Sequence, residues 1–531
     1  MSFKNIASQG LLISLAACGG TGAPTPDLPL VNPQNVPYLV SGASFFNSNC
    51  TLAPKSGEIN YVNAEVEPFV AVHPSNPKVL LGAWQQDRWN SGGANGLVVA
   101  VSQDGGETWQ RKALPFSTCG GGSKGSAGDF ERASDPWVDI GADGTMYVMG
   151  LTANLSGALN SSGLQNAMVV SRSTDQGQTW STPTVLRGDG ADAFNDKNSL
   201  IVSPVNPNNV YAVWDRNVLS NKVNQGPVWL ARSLDGGKNW EPAKQIYTPS
   251  VGNALGNRMV VLSDGTLVDV FNSADCDPDA GSACRGSVQV IRSSDNGVTW
   301  SSTAITVSEN YGSGVVYPSK TNRLRAPALP SIAVGPGDKI WVTWHDGRYS
   351  QLGTNSIALS SSTDGGVTWS EPVAINKDTG SHAFMPSITV AKDGTIAVSH
   401  YDFRNSASAP SKMLTNTWLL TSKDGQNWTE TKIREPFDLT NAPDAGGLFL
   451  GDYQGLVSLG SAFLPFYAQA NPDTSNRTDI YAIPITPAPS TVYQARTAPI
   501  LSMSQKIVLQ SRAGLAMQDW MRARMQQRRQ P

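Results

Sequence analysis

One eight-residue phrase, Ser-x-Asp-x-Gly-x-Thr-Trp, is written five times with small changes along this chain, at 102–109, 173–180, 233–240, 293–300 and 362–369. A sixth copy, 422–428, is one residue shorter. Each part has a physical job. The Asp carboxylate accepts hydrogen bonds from the N–H groups of its own turn, and the Gly adopts the positive φ that other residues resist. The Trp brings a large apolar surface with one N–H to satisfy. Successive Trp residues, from Trp109 through Trp180, Trp240, Trp300 and Trp369 to Trp428, stand 71, 60, 60, 69 and 59 positions apart. A period of that size marks a repeat architecture in which each unit buries its apolar face only against its neighbours. The shortened turn around Asp424 is expected to matter least.

Upstream of each copy the same short apolar runs return. In the first unit they are 68–72, 79–84 and 97–101, with a turn at 74–77; in the fifth they are 329–334, 340–344 and 357–361. Asp143-Gly144, Asp264-Gly265 and Asp393-Gly394 occupy the matching tight-turn positions, which antiparallel hairpins favour. Four-stranded antiparallel units repeated about an axis predict an all-β fold, a β-propeller. The pattern starts near Glu67, Asp135, Asp196, Asn257, Arg325, Met385 and Asp452, so seven blades are expected, with six as the alternative. The last start has no Trp turn, and residues 59–62 are expected to supply its outer strand. The repeat turns most of the 531 residues into one ring, 59–490, where length alone would suggest several domains.

The N-terminus gives an address. Lys4 precedes an apolar run, 10–17, too short to span a bilayer as a helix and shaped like a secretory signal. Leu15-Ala16-Ala17-Cys18 matches a bacterial lipobox, so residues 1–17 are expected to be a signal peptide and Cys18 the lipidated mature N-terminus. The Pro-rich stretch within 18–58 reads as a tether. This predicts an exported lipoprotein of the outer membrane or cell surface, in contact with the membrane through its lipid anchor only. Export permits disulfides. Removing Cys18 leaves Cys50, Cys119, Cys276 and Cys284. Cys276 and Cys284 bracket one loop and are expected to pair, which leaves Cys50 with Cys119, although three pairings are formally open. No metal or other cofactor is expected. There is no Cys-x-x-Cys, the chain has only four His, and the acidic loop 275–281 lacks the closing Glu of a calcium loop.

Charge narrows the partners. The net charge is −3, yet residues 498–531 carry six basic side chains against Asp519, a net +5, which leaves −8 on the rest. An acidic ring with a basic tail argues against nucleic acid as its partner. The tail, 491–531, carries Leu501, Val508, Leu515, Trp520 and Met525 among its basic residues; it reads as an amphipathic helix docked on the ring or as a flexible basic end near anionic lipid headgroups, and because Gly514 interrupts the periodicity the docked or disordered reading is the expectation. Within the ring, the starts of the inner strands and the ends of the second strands share one face, where convergent polar residues mark a binding site. Glu67, Asp135, Asp196, Lys197, Arg258, Arg325, Asp452 and Tyr453 come from strand starts. Asp87-Arg88, Asp215-Arg216, Asp346-Gly347-Arg348 and Asp402-Phe403-Arg404 come from strand ends. Such Asp–Arg elements either tie neighbouring blades together or turn an Arg toward a ligand.

The six Trp turns are Asp-boxes. With the strand pattern, and with Trp84-Gln85-Gln86-Asp87-Arg88 before the first box, the chain resembles the sialidase superfamily of BNR-repeat propellers over most of 59–490. The resemblance implies hydrolysis of terminal sialic acids, with three Arg on the substrate carboxylate, an Asp acid/base and a Tyr nucleophile assisted by a Glu. Carried onto this sequence, Arg258 and Arg325 stand where two clamp residues are expected, and Tyr453 where the nucleophile is. Val66-Glu67-Pro68 replaces the family's Arg-Ile-Pro, and the loop 89–96 holds no carboxylate for the acid/base role.

The expectation is an exported propeller that recognises a carbohydrate or glycoconjugate with an incomplete sialidase-like set. The candidate catalytic residues are Glu67, Asp135 and Tyr453. The candidate substrate-binding residues are Arg88, Arg258, Arg325 and Asp452. Glu67 is expected to repel an incoming sialic carboxylate. The alternatives are a non-catalytic binding or assembly propeller, and a glycosidase that works on a neutral polysaccharide through paired carboxylates.

Overall fold

Alternating apolar residues and Gly-centred turns give this chain strands and little else. The structure, a computed structural model, describes residues 36–47, 50, 54–218, 225–249, 252–275, 285–315, 323–350, 353–409, 411–487 and 490–515. Cys18, Cys276 and Cys284 lie outside these residues, and with them the expected lipidation site and loop disulfide. Among the described residues nearly every element is a β-strand, and the strands run as antiparallel meanders. The first strands of successive meanders are Asn60–His73, Arg132–Ile140, Ala193–Val202, Asn253–Val261, Ser331–Val334, Ala383–Val390 and Gly455–Leu459. Each packs beside the next, and Gly455–Leu459 packs back against Asn60–His73. Apolar clusters fill the spaces between meanders. Because strand residues alternate sides, Val268 and Val270 join one cluster while Leu267 and Phe271 join the next.

The junction of first and last meanders departs from expectation. The last meander has three strands of its own, Gly455–Leu459, Ala462–Ala470 and Thr478–Ala482. Its outer edge is covered by Tyr38–Leu39, paired antiparallel with Ala482 and Tyr481. Residues 59–62 do not serve there. Asn60 and Tyr61 pair with Trp89 and Arg88 inside the first meander, and only Ala64 reaches Thr478, through one parallel bridge. Asn63, at φ 55°, breaks the ladder between these two pairings. The Cys50–Cys119 disulfide forms as expected and ties the N-terminal segment to the loop after Gln110–Ala113. After residue 490 the chain adds Tyr493–Gln494 to Asn427–Asp438 and Arg496–Thr497 to Val373–Ala374. It thus straps two neighbouring meanders before a helix at 503–515.

The Trp turns are closed networks. Ser102 Oγ donates to Asp104 and accepts from Gly106 N, both at 2.8 Å. Asp104 accepts from Glu107 N and Thr108 N at 3.0 and 2.9 Å, and Trp109 Nε1 donates to Gly106 O at 3.0 Å. Gly106 sits at φ 95°, and a Cβ there would lie 2.5 Å from Leu464. The shortened sixth turn, expected to matter least, makes the same set. Ser422 Oγ donates to Asp424 and accepts from Gly425 N, Asp424 accepts from Asn427 N, and Trp428 Nε1 donates to Gly425 O. Gly425 follows Asp424 directly and takes over the place of Gly106. Ser102→Ala strands the buried Gly106 N–H and should destabilise by about 1–2 kcal/mol in urea unfolding. Ser422→Ala should cost a similar amount; a clearly smaller loss would mark the short turn as the weaker one.

Candidate functional site

Five first strands carry a bulge at the same place, and in three of them the bulge holds a charged residue. The ladder shifts between Val66 and Phe69, between Ser134 and Trp137, and between Asp196 and Ser199. At these bulges Glu67, Asp135 and Lys197 adopt φ of 55°, 52° and 50°. Non-glycine residues avoid this region, at a cost of about 1–3 kcal/mol each. The strained backbone turns three charged side chains to one point. Asp452 joins them from the junction of last and first meanders, where Glu67 N–H donates to Leu450 O at 3.0 Å. Gly451 permits that approach, since a Cβ there would lie 2.8 Å from Glu67 Cα.

Lys197 is the centre of the cluster. Its ammonium lies 2.6 Å from both Asp135 and Asp452, 3.6 Å from Asp196 and 3.8 Å from Glu67. Burial alone would lower the Lys197 pKa, but the four carboxyl groups, Asp135 foremost, hold it far above its usual value. Arg325 grips Asp452 through Nε at 3.3 Å and Nη2 at 2.9 Å. Burial would raise the Asp452 carboxyl, but Arg325 and Lys197 outweigh it and hold it well below the usual range. Glu67 goes the other way: burial, then the neighbouring Asp135, push it up to about 8. It is therefore mainly protonated at neutral pH, and the expected repulsion of a carboxylate at this point is absent there. Gln85 links the parts, contacting Glu67, donating to Ser134 at 3.0 Å and accepting from Arg88 at 2.7 Å.

The four Asp–Arg elements resolve differently. Arg216 pairs with Asp189 at 2.7 Å, Arg348 with Asp346 at 2.9 Å, and Arg404 with Asp402 and Glu430 at 2.6 Å. These three tie strands together. Arg88 pairs with no carboxylate among the described residues. Asp87 is occupied instead by Ser44, Asn63, Gln86 and Asn95. Arg88 and Arg325 both stack on Phe449, at 4.8 and 4.5 Å from its ring centre. Burial and the nearby Arg325 lower Arg88 to about 10, so both guanidiniums stay charged at neutral pH. A cleft open to solvent lies over them, walled by Arg88, Arg132, Arg325, Lys197, Asp135 and Asp196, with Ser91, Ser134 and Phe194 between.

Two of the expected site residues, Tyr453 and Arg258, lie away from the cavity, and for a visible reason. The Tyr453 hydroxyl donates to Pro136 O at 2.9 Å, and its ring packs edge-on against Trp137, which stacks on Phe69. This aromatic plug is off the cavity wall, and burial raises the Tyr453 phenol well above its ordinary value. Arg258 is part of the plug. It stacks over Trp137 and Tyr453 at 4.9 and 5.8 Å, donates to Ser331 at 2.8 Å, and lies outside the cavity lining. The cavity thus assembles Arg88, Arg325 and Asp135, with Asp452 and Glu67 bound into the cluster around Lys197. Lys197, Asp196 and Gln85 had no assigned role from sequence. For Lys197 the signal was position: it holds the place of Asp135 and Glu67 in the repeat.

No family model and no curated protein matches the chain. Among solved structures it resembles a protein of unknown function from Dyadobacter fermentans, over 66% of this chain and 94% of that one, at 15% identity and a TM-score of 0.42. A Hadza microbial sialidase is matched over 80% of this chain and 66% of that one, at 17% identity and a TM-score of 0.40. An α-L-arabinofuranosidase from Fusarium graminearum is matched over 65% of this chain and 92% of that one, at 13% identity and a TM-score of 0.42. At such scores the likenesses carry no residue role to this chain, and the site stands on its own geometry.

Proposed function

We propose that the chain is a seven-bladed, Asp-box β-propeller that recognises an acidic glycan in the cavity above Lys197. The cyclic packing of the first strands supports the blade number. The ligand reading rests on the Arg88 guanidinium, charged, free of any carboxylate partner among the described residues, and beside Arg325 on the cavity wall. A planar guanidinium pair suits a carboxylate or sulfate on a sugar, and the hydroxyls and carboxylates around it suit the sugar's own hydroxyls. The reading is binding without efficient sialoside turnover. Tyr453 donates to a backbone carbonyl, Glu67 is off the cavity wall, and the loop 89–96 holds no acid.

A second reading, hydrolysis through paired carboxylates, is favoured by one observation. Asp135 and Asp196 both line the cavity, within 2.6 and 3.6 Å of the same ammonium. A panel of chromogenic glycosides, sialosides included, alongside calorimetric titration with acidic and neutral oligosaccharides, separates the two. Arg88→Gln and Arg325→Gln should each weaken acidic-glycan binding by about tenfold or more. Robust sialoside turnover would sink the first reading, and turnover of neutral glycosides abolished by Asp135→Asn would establish the second.

The address follows the sequence: signal peptide 1–17, lipidated Cys18, tether 18–58, propeller 59–490 and tail 491–531, in an exported lipoprotein. The Cys50–Cys119 disulfide fits an oxidising compartment. Cys18→Ser should move the protein from the membrane to the soluble exported fraction, and an unchanged membrane fraction would remove the anchor.

A further inference from the structure

Arg258 is a buried cation with no acid beside it among the described residues. Of the other buried basic side chains described, Arg132, Lys197 and Arg348 each pair with a carboxylate. Arg88 lines the cleft, and Glu67, Asp452 and Asp135 act on it from nearby. Arg258 has neither kind of support. It is 8% exposed and lies outside the cavity lining, so a sugar at Arg88 does not balance its charge. Its Nη1 donates to the neutral Ser331 hydroxyl at 2.8 Å. The ionisable group that acts on it is the Tyr453 phenol, which burial raises and which is neutral at neutral pH. Burial lowers Arg258 only to about 10, so the guanidinium keeps its charge. A buried charge without a counter-charge is costly.

The bulges show where room for a counter-ion comes from. The first residue after each bulge is Phe69, Trp137, Ser199, Arg258 and Ser387 in turn. In the first two meanders that place holds a ring, and Trp137 with Tyr453 stacks on the guanidinium at 4.9 and 5.8 Å. The meanders packed on either side of Arg258 offer only Ser199 and Ser331, both buried. Short hydroxyl side chains leave space that a ring would fill. The Ser331 oxygen already accepts from Arg258 Nη1 and from Ile388 N, which leaves its O–H to donate.

We propose that a small monovalent anion, chloride, binds beside the Arg258 guanidinium as its counter-ion, held by the remaining guanidinium N–H groups and the Ser331 hydroxyl. A guanidinium this enclosed, between two rings and a strand, admits a monatomic ion more readily than an oxyanion.

The test uses the full chain without sugar, so its outcome is independent of the acidic-glycan reading. Thermal unfolding is followed at neutral pH while chloride replaces methanesulfonate at constant ionic strength. The native midpoint should rise by about 2 °C or more between about 1 and 100 mM chloride. Arg258→Met keeps an apolar stem and removes the charge. Its midpoint should not move with chloride, and without chloride it should at least equal that of the native protein. Ser331→Ala should raise the chloride concentration at half effect by about threefold or more. Crystals grown with bromide should show an anomalous peak within hydrogen-bond reach of the Arg258 guanidinium. A native midpoint indifferent to chloride, an equal response in Arg258→Met, or no bromide at the guanidinium overturns the inference. A bromide peak with a chloride-independent midpoint marks an adventitious ion only and overturns it as well. Should Arg258→Met fail to fold, an unchanged half effect in Ser331→Ala has the same force.

Discussion

Lys197→Met should cost about 3–5 kcal/mol of stability at neutral pH, the range for removing one partner from a buried ion cluster. Met keeps much of the length and apolar stem while deleting the ammonium that Asp135 and Asp452 share at 2.6 Å. Arg325 still grips Asp452 in the variant, but Asp135 loses its nearest cation. The pH dependence carries a sign. Glu67 is raised to about 8 in the native protein, so the fold binds this proton more tightly than the unfolded chain does. Stability from that group is present below the ordinary carboxylate range and declines as the pH rises toward 8. Without Lys197 the remaining carboxyls bind protons more tightly still, so the gap between variant and native protein should widen from pH 5 to pH 8. Urea unfolding at the two pH values checks this. A gap below about 1 kcal/mol, or one that does not change with pH, would mean that Lys197 does not balance the cluster.

The period of the Trp turns, and the strands between them, were legible because both follow from spacing along the chain. The site was legible only in part. Glu67, Asp135, Arg325 and Asp452 stand where strand starts converge, and the structure brings them together around Lys197. What spacing does not carry is backbone conformation: no residue pattern announces that Glu67, Asp135 and Lys197 sit at positive φ. Nor does it carry competition between distant groups. Arg88 differs from Arg216, Arg348 and Arg404 because Ser44 and Asn63 occupy Asp87, and neither belongs to the Asp–Arg element. The sequence reading expects Tyr453 as a nucleophile, but the segment before Gly455–Leu459 lies close enough to the second bulge for the Tyr453 hydroxyl to reach Pro136 O. Tyr38–Leu39 closes the last meander with two residues, too few to show a period.

Affinity for an acidic sugar should fall as the pH rises through about 8. Glu67 touches Gln85, which accepts from Arg88, so the carboxyl and the guanidinium share one hydrogen-bonded path. Below pH 8 burial and Asp135 keep Glu67 mainly neutral, and Arg88 and Arg325 face the cavity with Glu67 adding no charge against them. Above it, Glu67 ionises and adds a negative charge beside Arg88. At protein-like dielectric one such charge at several ångströms is worth about 1–2 kcal/mol, or roughly a tenfold loss in affinity for an anion. The acidic sugar itself is ionised throughout, and Arg88, at about 10, stays largely charged up to pH 9. Titration calorimetry with glucuronate and with sialic acid from pH 6.5 to 9 should therefore show the step, and a neutral sugar should not. Glu67→Gln keeps a polar side chain beside Gln85 without an ionisable proton, so it should hold the neutral-pH affinity and lose the step. If the variant keeps the same step, the titrating group is not Glu67. If the native protein shows none, the Glu67 charge does not reach the ligand, and the cavity over Arg88 does not hold the sugar's carboxylate.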